Sequence, residues 1–278
     1  MTLSAFIAFL AGQVKPATIQ IYLAAIRNLH IELGYDDPLS QATLLPKVLR
    51  GIARVHGDGV TQPRLPITMP ILRRLLSALQ ASHCYSELDK QMIAAVMLLA
   101  FHGFSRSGEI VSNRIFDPTK HATHQDVQFT VGPPTTMQFH IKYSKTDQCG
   151  RGISVHFGPT GDDCCAVRAM LLYLNSSGGA AQDQLFRFAD GRPRTRGALV
   201  EKVRQLVTVV RINNASLYSG HSFRIGAATT ATLARTPEWL IRVMGRWRSD
   251  SVLRYIRTSP LAMQQVASAL SSVSEPLP

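Results

Sequence analysis

The chain has 278 residues, 45% of them apolar, which is ample for burying a core and excludes an intrinsically disordered protein. Lysine and arginine number 30 against 18 acidic residues, for a net charge of +12 and an isoelectric point near 10.0. That balance points to a polyanionic partner, nucleic acid before membrane, with a generically basic globular protein as the plainer alternative.

The longest apolar run, from Met92 through Phe104, is interrupted by His102 and Gly103 and is too short to span a bilayer. The start of the chain has neither the basic segment nor the small-residue cleavage site of a secretion signal, so an intracellular protein is expected. Cys84, Cys149, Cys164 and Cys165 show no C-x-x-C spacing and suit reduced thiols. The adjacent pair Cys164-Cys165 opens an apolar helical pattern and reads as small core residues rather than metal ligands.

In chain order, Ile19, Tyr22, Leu23, Ile26, Leu29 and Leu33 recur at helical spacing and predict an amphipathic helix over 16–33, ended by Gly34. A second helix is expected near 41–55, with Lys47, Arg50 and Arg54 on its outer face. With Lys15 and Arg27, these side chains suit a helical module resting on a phosphate backbone, or simple solvated charge. Residues 56–66 are rich in Gly and Pro and read as a linker, which divides the chain into domains 1–60 and 61–278.

The larger domain opens with Thr68 capping one helix and Ser86 starting another in a capping-box pattern; the second is apolar over a broad face and should be a central core helix. Gly103, Arg106 and Glu109 follow on the turn after it. Between 126 and 157 the apolar period shortens to two, predicting three antiparallel strands (DVQFTV, TMQFHIKYS, ISVHF), with Lys145 and Arg151 at the tip of the second hairpin. His121 and His124 have a spacing that binds metal on a helix, but no helix is expected there and a solvated loop is favoured. A helix through DCCAVRAMLLYL, a short strand LFRF, a basic turn with Arg192, Arg194 and Arg196, and a helix RGALVEKVRQLVTVV complete this part.

The most informative stretch runs from Gly220 to Pro260. His221 and Arg224 stand one helical turn apart, so they can share a face and address one small anion, with phosphate favoured because guanidinium donors match its oxygens. Pro237 opens a helix ended by Gly245, Arg246-Trp247-Arg248 follow, and Ser249 starts a short helix carrying Tyr255. A tyrosine attacking a phosphodiester needs help, since its proton leaves only near pH 10 and charge gathers on the non-bridging oxygens. Preorganised cations answer that need, at about 3 kcal/mol per group.

H-S-F-R, G-R-W-R-S-D and L-R-Y-I-R, with Gly103-x-x-Arg106-x-x-Glu109 and S-K-T-D-Q at the hairpin, together resemble the tyrosine recombinase (phage integrase) family, most closely the recombinases of DIRS-type retrotransposons. The likeness spans roughly 68–270. It implies a mainly α fold with a small antiparallel β-sheet, preceded by a helical core-binding (SAM-like) domain that is shortened here, with two clear helices. It further implies cutting and rejoining of double-stranded DNA through a 3′-phosphotyrosyl link at Tyr255, without metal, ATP or other cofactor.

In that scheme Arg106 and Arg224 stabilise the phosphate, His221 is an acid/base or phosphate donor, Lys145 protonates the leaving oxygen, and Glu109 supports Arg106. Arg151 and Arg248 join the basic residues of the first domain as DNA contacts. The chain departs from the family at Arg246, where His or Trp is usual: either Arg246 or Trp247 supplies the remaining donor, with Trp247 slightly favoured. The segment LAMQQVASAL docks either on its own domain or on a neighbouring protomer of a homo-tetramer. No membrane partner is implied, and a eukaryotic host would place the protein in the nucleus. A type IB topoisomerase-like enzyme and a catalytically inactive, domesticated DNA-binding protein are the alternatives.

Overall fold

A computed structural model describes residues 2–57, 63–112, 115–130, 132–144, 147, 150–190, 195–247 and 250–255. The chain divides into two compact units, Met1–Pro63 and Arg64–Pro278. The first holds α1 (Leu3–Leu10), α2 (Pro16–Glu32) and α3 (Leu45–His56). Helix α1 was not expected from the sequence: it is only eight residues long, and its one local signal is the Thr2 hydroxyl, which accepts from the Ala5 amide at 3.3 Å. Ile7, Leu10, Ile19, Leu23, Leu45 and Ile52 form its small core.

The apolar stripe expected on α2 is only partly buried. Ile19 and Leu23 face the core, but Tyr22, Leu29 and Leu33 are exposed, because three short helices cannot cover a stripe that runs the length of α2. Lys15, Lys47, Arg50 and Arg54 are exposed as expected, whereas Arg27 pairs with Asp37 at 2.6 Å.

The second unit is built around α5 (Glu87–His102), in which every residue from Met92 to Phe101 is buried. A helix apolar on all sides belongs at the centre of a bundle. It packs against α4 (Met69–Ala81), α7 (Ala166–Ser177) and α9 (Ser222–Leu233). Ser86 caps it by accepting from the Asp89 amide at 3.1 Å. At a position such as Leu99, 0% exposed, truncation to alanine would cost about 3 kcal/mol.

The strands β1 (Val127–Phe129), β2 (Met137–Ile141) and β3 (Ile153–Phe157) form one antiparallel sheet in that order, with Val127 opposite Phe139 and Phe139 opposite Val155. Met137, Phe139 and Ile141 alternate inward, as the period of two requires. Just past β2, Lys142 is held by Asp126 and the Thr123 hydroxyl, both at 2.8 Å, which ties the sheet to the preceding loop.

Three local expectations are corrected. LFRF (185–188) is not an extended strand: pairing there is limited to isolated bridges, with Gln184 opposite Thr123 and the Leu185 amide donating to the Ala122 carbonyl at 3.0 Å. The loop with His121 and His124 is folded rather than solvated, with His121 Nδ1 accepting from the Asp117 amide at 2.9 Å and its ring stacked on Phe116. The second helix starts at Leu45 rather than near 41. Cys164 and Cys165 are core residues, 2% and 4% exposed, and the Cys165 sulfur accepts from the Arg168 amide at the start of α7.

Candidate active site

The site begins where α5 ends. Gly103 closes that helix, and Phe104 adopts a left-handed φ of 47°, which turns the chain into α6 (Ser107–Ile110) with Arg106 as its N-cap. Glu109, 3% exposed at its side chain, folds back on Arg106: Oε2 accepts from the Arg106 amide at 3.0 Å, and Oε1 from Nη1 at 2.8 Å. Arg106 itself remains 24% exposed.

The loop before α9 lies directly against α6. A Cβ on Gly220 would fall 2.2 Å from Ser107 Oγ, so only glycine allows the two segments to approach this closely. Next along, His221 occupies the N-cap position of α9, without a side-chain capping bond. Burial, followed by the charges of Arg224, Arg106 and Arg196, lowers its pKa to about 4, with Glu109 opposing. The imidazole is therefore neutral at pH 7. Inside α9, Gly226 sits against the Ile67 carbonyl, where a Cβ would have no room, and Ser222 O accepts from the Ile67 amide at 2.9 Å.

Arg224 is 0% exposed. Nη1 donates to the Phe104 carbonyl and Nη2 to the Gly245 carbonyl, while Nε has no partner among the described residues. Burial, then the charge of Arg106, lowers its pKa to about 10, so it stays protonated at neutral pH. The Trp247 ring covers the guanidinium with 4.2 Å from Cζ to its centroid, and the Tyr255 ring lies 5.5 Å away.

Gly245 ends α10 (Glu238–Gly245), and Trp247 lies over it: a Cβ there would meet the indole at 1.7 Å. Arg246, between them, takes a left-handed conformation (φ 56°, ψ 40°) and turns back across α6. Its Nη2 reaches Glu109 Oε2 at 2.7 Å and its Nη1 the Gly103 carbonyl at 2.9 Å. The indole N–H of Trp247 is buried with no partner among the described residues.

Tyr255 follows a 3₁₀ turn over Asp250–Arg254 and is half-buried. Its ring centre is 5.0 Å from that of His221 and 5.0 Å from that of Trp247. The Thr229 hydroxyl on α9 donates to the Tyr255 carbonyl at 3.2 Å and fixes the backbone there.

Arg106, Glu109, His221, Arg224, Arg246, Trp247 and Tyr255 thus meet at one place, with two guanidiniums, Arg106 and Arg246, on one carboxylate and a third, Arg224, on main-chain carbonyls. One expectation needs correction: His221 and Arg224 are not presented side by side, since Arg224 is buried with both Nη on main-chain carbonyls where the α5–α6 corner and the end of α10 close over it. Of the two candidates left open at 246–247, Arg246 turns to Glu109, and the Trp247 indole N–H has no partner among the described residues. Lys145 and Arg248 lie outside the described residues, and Arg151 is exposed. The sequence carried no signal for Phe104, Ser107 or Thr229 as contributors, since each acts on a segment distant along the chain: Phe104 through its carbonyl to Arg224, Ser107 by close approach to Gly220, and Thr229 by a hydroxyl bond to the Tyr255 carbonyl.

No protein-family model matches the chain, and no curated protein matches it. Solved structures do. The Tn1549 transposon integrase in complex with circular intermediate DNA superposes with a TM-score of 0.56 at 14% identity, over 96% of this chain and 85% of that one. XerH site-specific recombinase, in its post-cleavage complex with palindromic difH substrate, gives 0.52 at 14% identity over 77% of this chain and 55% of that one, so this chain spans about half the length of that relative. XerA recombinase gives 0.50 at 15% identity, over 94% and 84%. Likeness at such identity speaks for the fold alone, and the fold, mostly helical with one three-stranded antiparallel sheet, is that of the tyrosine recombinases.

Proposed function

We propose that the protein cuts and rejoins double-stranded DNA as a site-specific recombinase, with Tyr255 as nucleophile and a 3′-phosphotyrosyl intermediate. The observation that carries this reading is the half-buried Tyr255 ring, packed between His221 and Trp247 above Arg224. In the forward step the Tyr255 oxygen attacks the scissile phosphorus, the bond to the 5′ oxygen breaks, and that oxygen takes a proton. Lys145 is the donor that the family resemblance suggests.

Arg106 is the guanidinium open to the phosphate, and Arg224 supports the site from below with its charge. A neutral His221 accepts the phenol's proton or hydrogen-bonds a non-bridging oxygen. The covalent link conserves the energy of the broken ester, so rejoining runs the same steps backwards. Exposed Lys15, Lys47, Arg50, Arg54 and Arg151 would track the phosphate backbone in this reading, with Arg27 tied to Asp37. Assembly as a homo-tetramer through residues 261–270, which lie outside the described residues, and action inside the cell or nucleus belong to the same proposal. Among the described residues no helix is long and apolar enough to cross a membrane.

One observation favours a second reading, a DNA-binding module without cleavage: Arg224 is fully buried, under the Trp247 ring and with both Nη groups on main-chain carbonyls. A nicked suicide duplex separates the two. A covalent protein–DNA adduct that vanishes in Tyr255→Phe supports cleavage; retention of the duplex without adduct supports the silent module. Relaxation of any supercoiled plasmid regardless of sequence would instead mark a topoisomerase-like enzyme.

A further inference from the structure

We propose that Arg246 is a positioning residue: it holds Glu109, and through Glu109 the guanidinium of Arg106, and does not itself meet the scissile phosphate. This deepens the strand-cleavage reading and rests on it. The residue stands where the resemblance calls for a phosphate donor, yet among the described residues its side chain is taken up by Glu109 and by main-chain carbonyls.

Its left-handed backbone closes α10, with its amide donating to Val243 O at 3.0 Å, and sends the side chain to the α5–α6 corner. There Nη1 meets the Gly103 carbonyl at 2.9 Å and the Met244 carbonyl at 3.4 Å, and Nη2 meets Glu109 Oε2 at 2.7 Å, with 13% of the side chain exposed.

The Glu109 carboxylate is shared. Oε1 serves Arg106 Nη1, and Oε2 serves both the Arg106 amide and Arg246. A carboxylate paired with one arginine cancels that arginine's charge, whereas one shared by two leaves the trio positive, so Arg106 keeps its attraction for an anion. Were Arg246 to swing out to a phosphate, the buried Glu109 would be left to Arg106 alone and would draw it inward. The donor at this end of the site is then the Trp247 indole N–H, which is buried and has no partner among the described residues.

The test is covalent adduct formation on a nicked duplex, drawn from a random-sequence library by selection for the Tyr255-dependent adduct. Arg246→Met is expected to slow adduct formation at saturating DNA by about 100-fold, the effect of a displaced catalytic group, with the DNA Kd changed less than about threefold. Adding Glu109→Gln to that variant removes the charge that pulls Arg106 inward and is expected to restore about tenfold or more of the rate.

If Arg246 instead touches the phosphate, the double variant is no better than the single one, and the proposal is overturned. Should Arg246→Met fail to fold, Arg246→Lys carries the test, since it keeps a cation beside Glu109. A rate within about fivefold of wild type supports positioning, and a loss of about 100-fold overturns it. A wild-type protein that forms no adduct overturns both readings; an adduct without recovery in the double variant overturns the positioning role alone.

Discussion

The guanidinium of Arg224 lies 4.2 Å from the centre of the Trp247 ring, and that ring in turn lies on Gly245, whose carbonyl accepts from the same arginine. A buried cation, an aromatic plate and a helix end therefore form one unit, against which the Tyr255 ring packs. Its parts are expected to fail separately when mutated separately.

Trp247→Phe keeps a ring over Arg224 but deletes the indole N–H. Stability by urea unfolding is expected to change by less than about 1 kcal/mol, while cleavage of the suicide duplex falls roughly tenfold or more. Trp247→Ala loses the plate as well, at about 2 kcal/mol of stability. Equal cleavage by wild type and Trp247→Phe would remove the indole from the chemistry.

Gly245→Ala places a methyl group where the indole lies, at 1.7 Å from its nearest carbon. The ring must shift, and the expected cost is about 2 kcal/mol in the unfolding midpoint series, together with loss of adduct formation. A variant as stable and active as wild type would contradict the packing described.

Tyr255→Phe retains the ring between His221 and Trp247 and removes only the hydroxyl. Unfolding free energy is expected to stay within about 1 kcal/mol of wild type and DNA affinity within about twofold, with no adduct at all. Residual adduct on denaturing gels would point to another nucleophile.

Acidification probes His221. Its folded pKa of about 4 lies below the ordinary 6.5, so the unfolded chain binds the extra proton first as pH falls. The contribution is fully present above pH 6.5 and is lost as pH drops from there through 4. Urea midpoints measured between pH 7 and 4 should decline less steeply in His221→Gln than in wild type. Parallel slopes would mean that the burial and the arginine charges around His221 do not act as described.

Much of this was legible along the chain because it is local. The Ser86 cap, the apolar run of α5, the alternation in β2 and the turn spacing of His221 and Arg224 are each set by neighbours within a helical turn or a strand, where backbone geometry alone dictates which side chains share a face. Even the need for glycine at 245 has a local cause, a ring two residues later. What only the tertiary structure decided is which of those faces is covered. That Arg224 is sealed under Trp247, that Arg246 turns inward to a carboxylate 137 positions earlier, and that the α2 stripe is half exposed all follow from burial and charge pairing. Those depend on segments brought together from distant parts of the sequence, and no period or motif encodes the partner that will arrive.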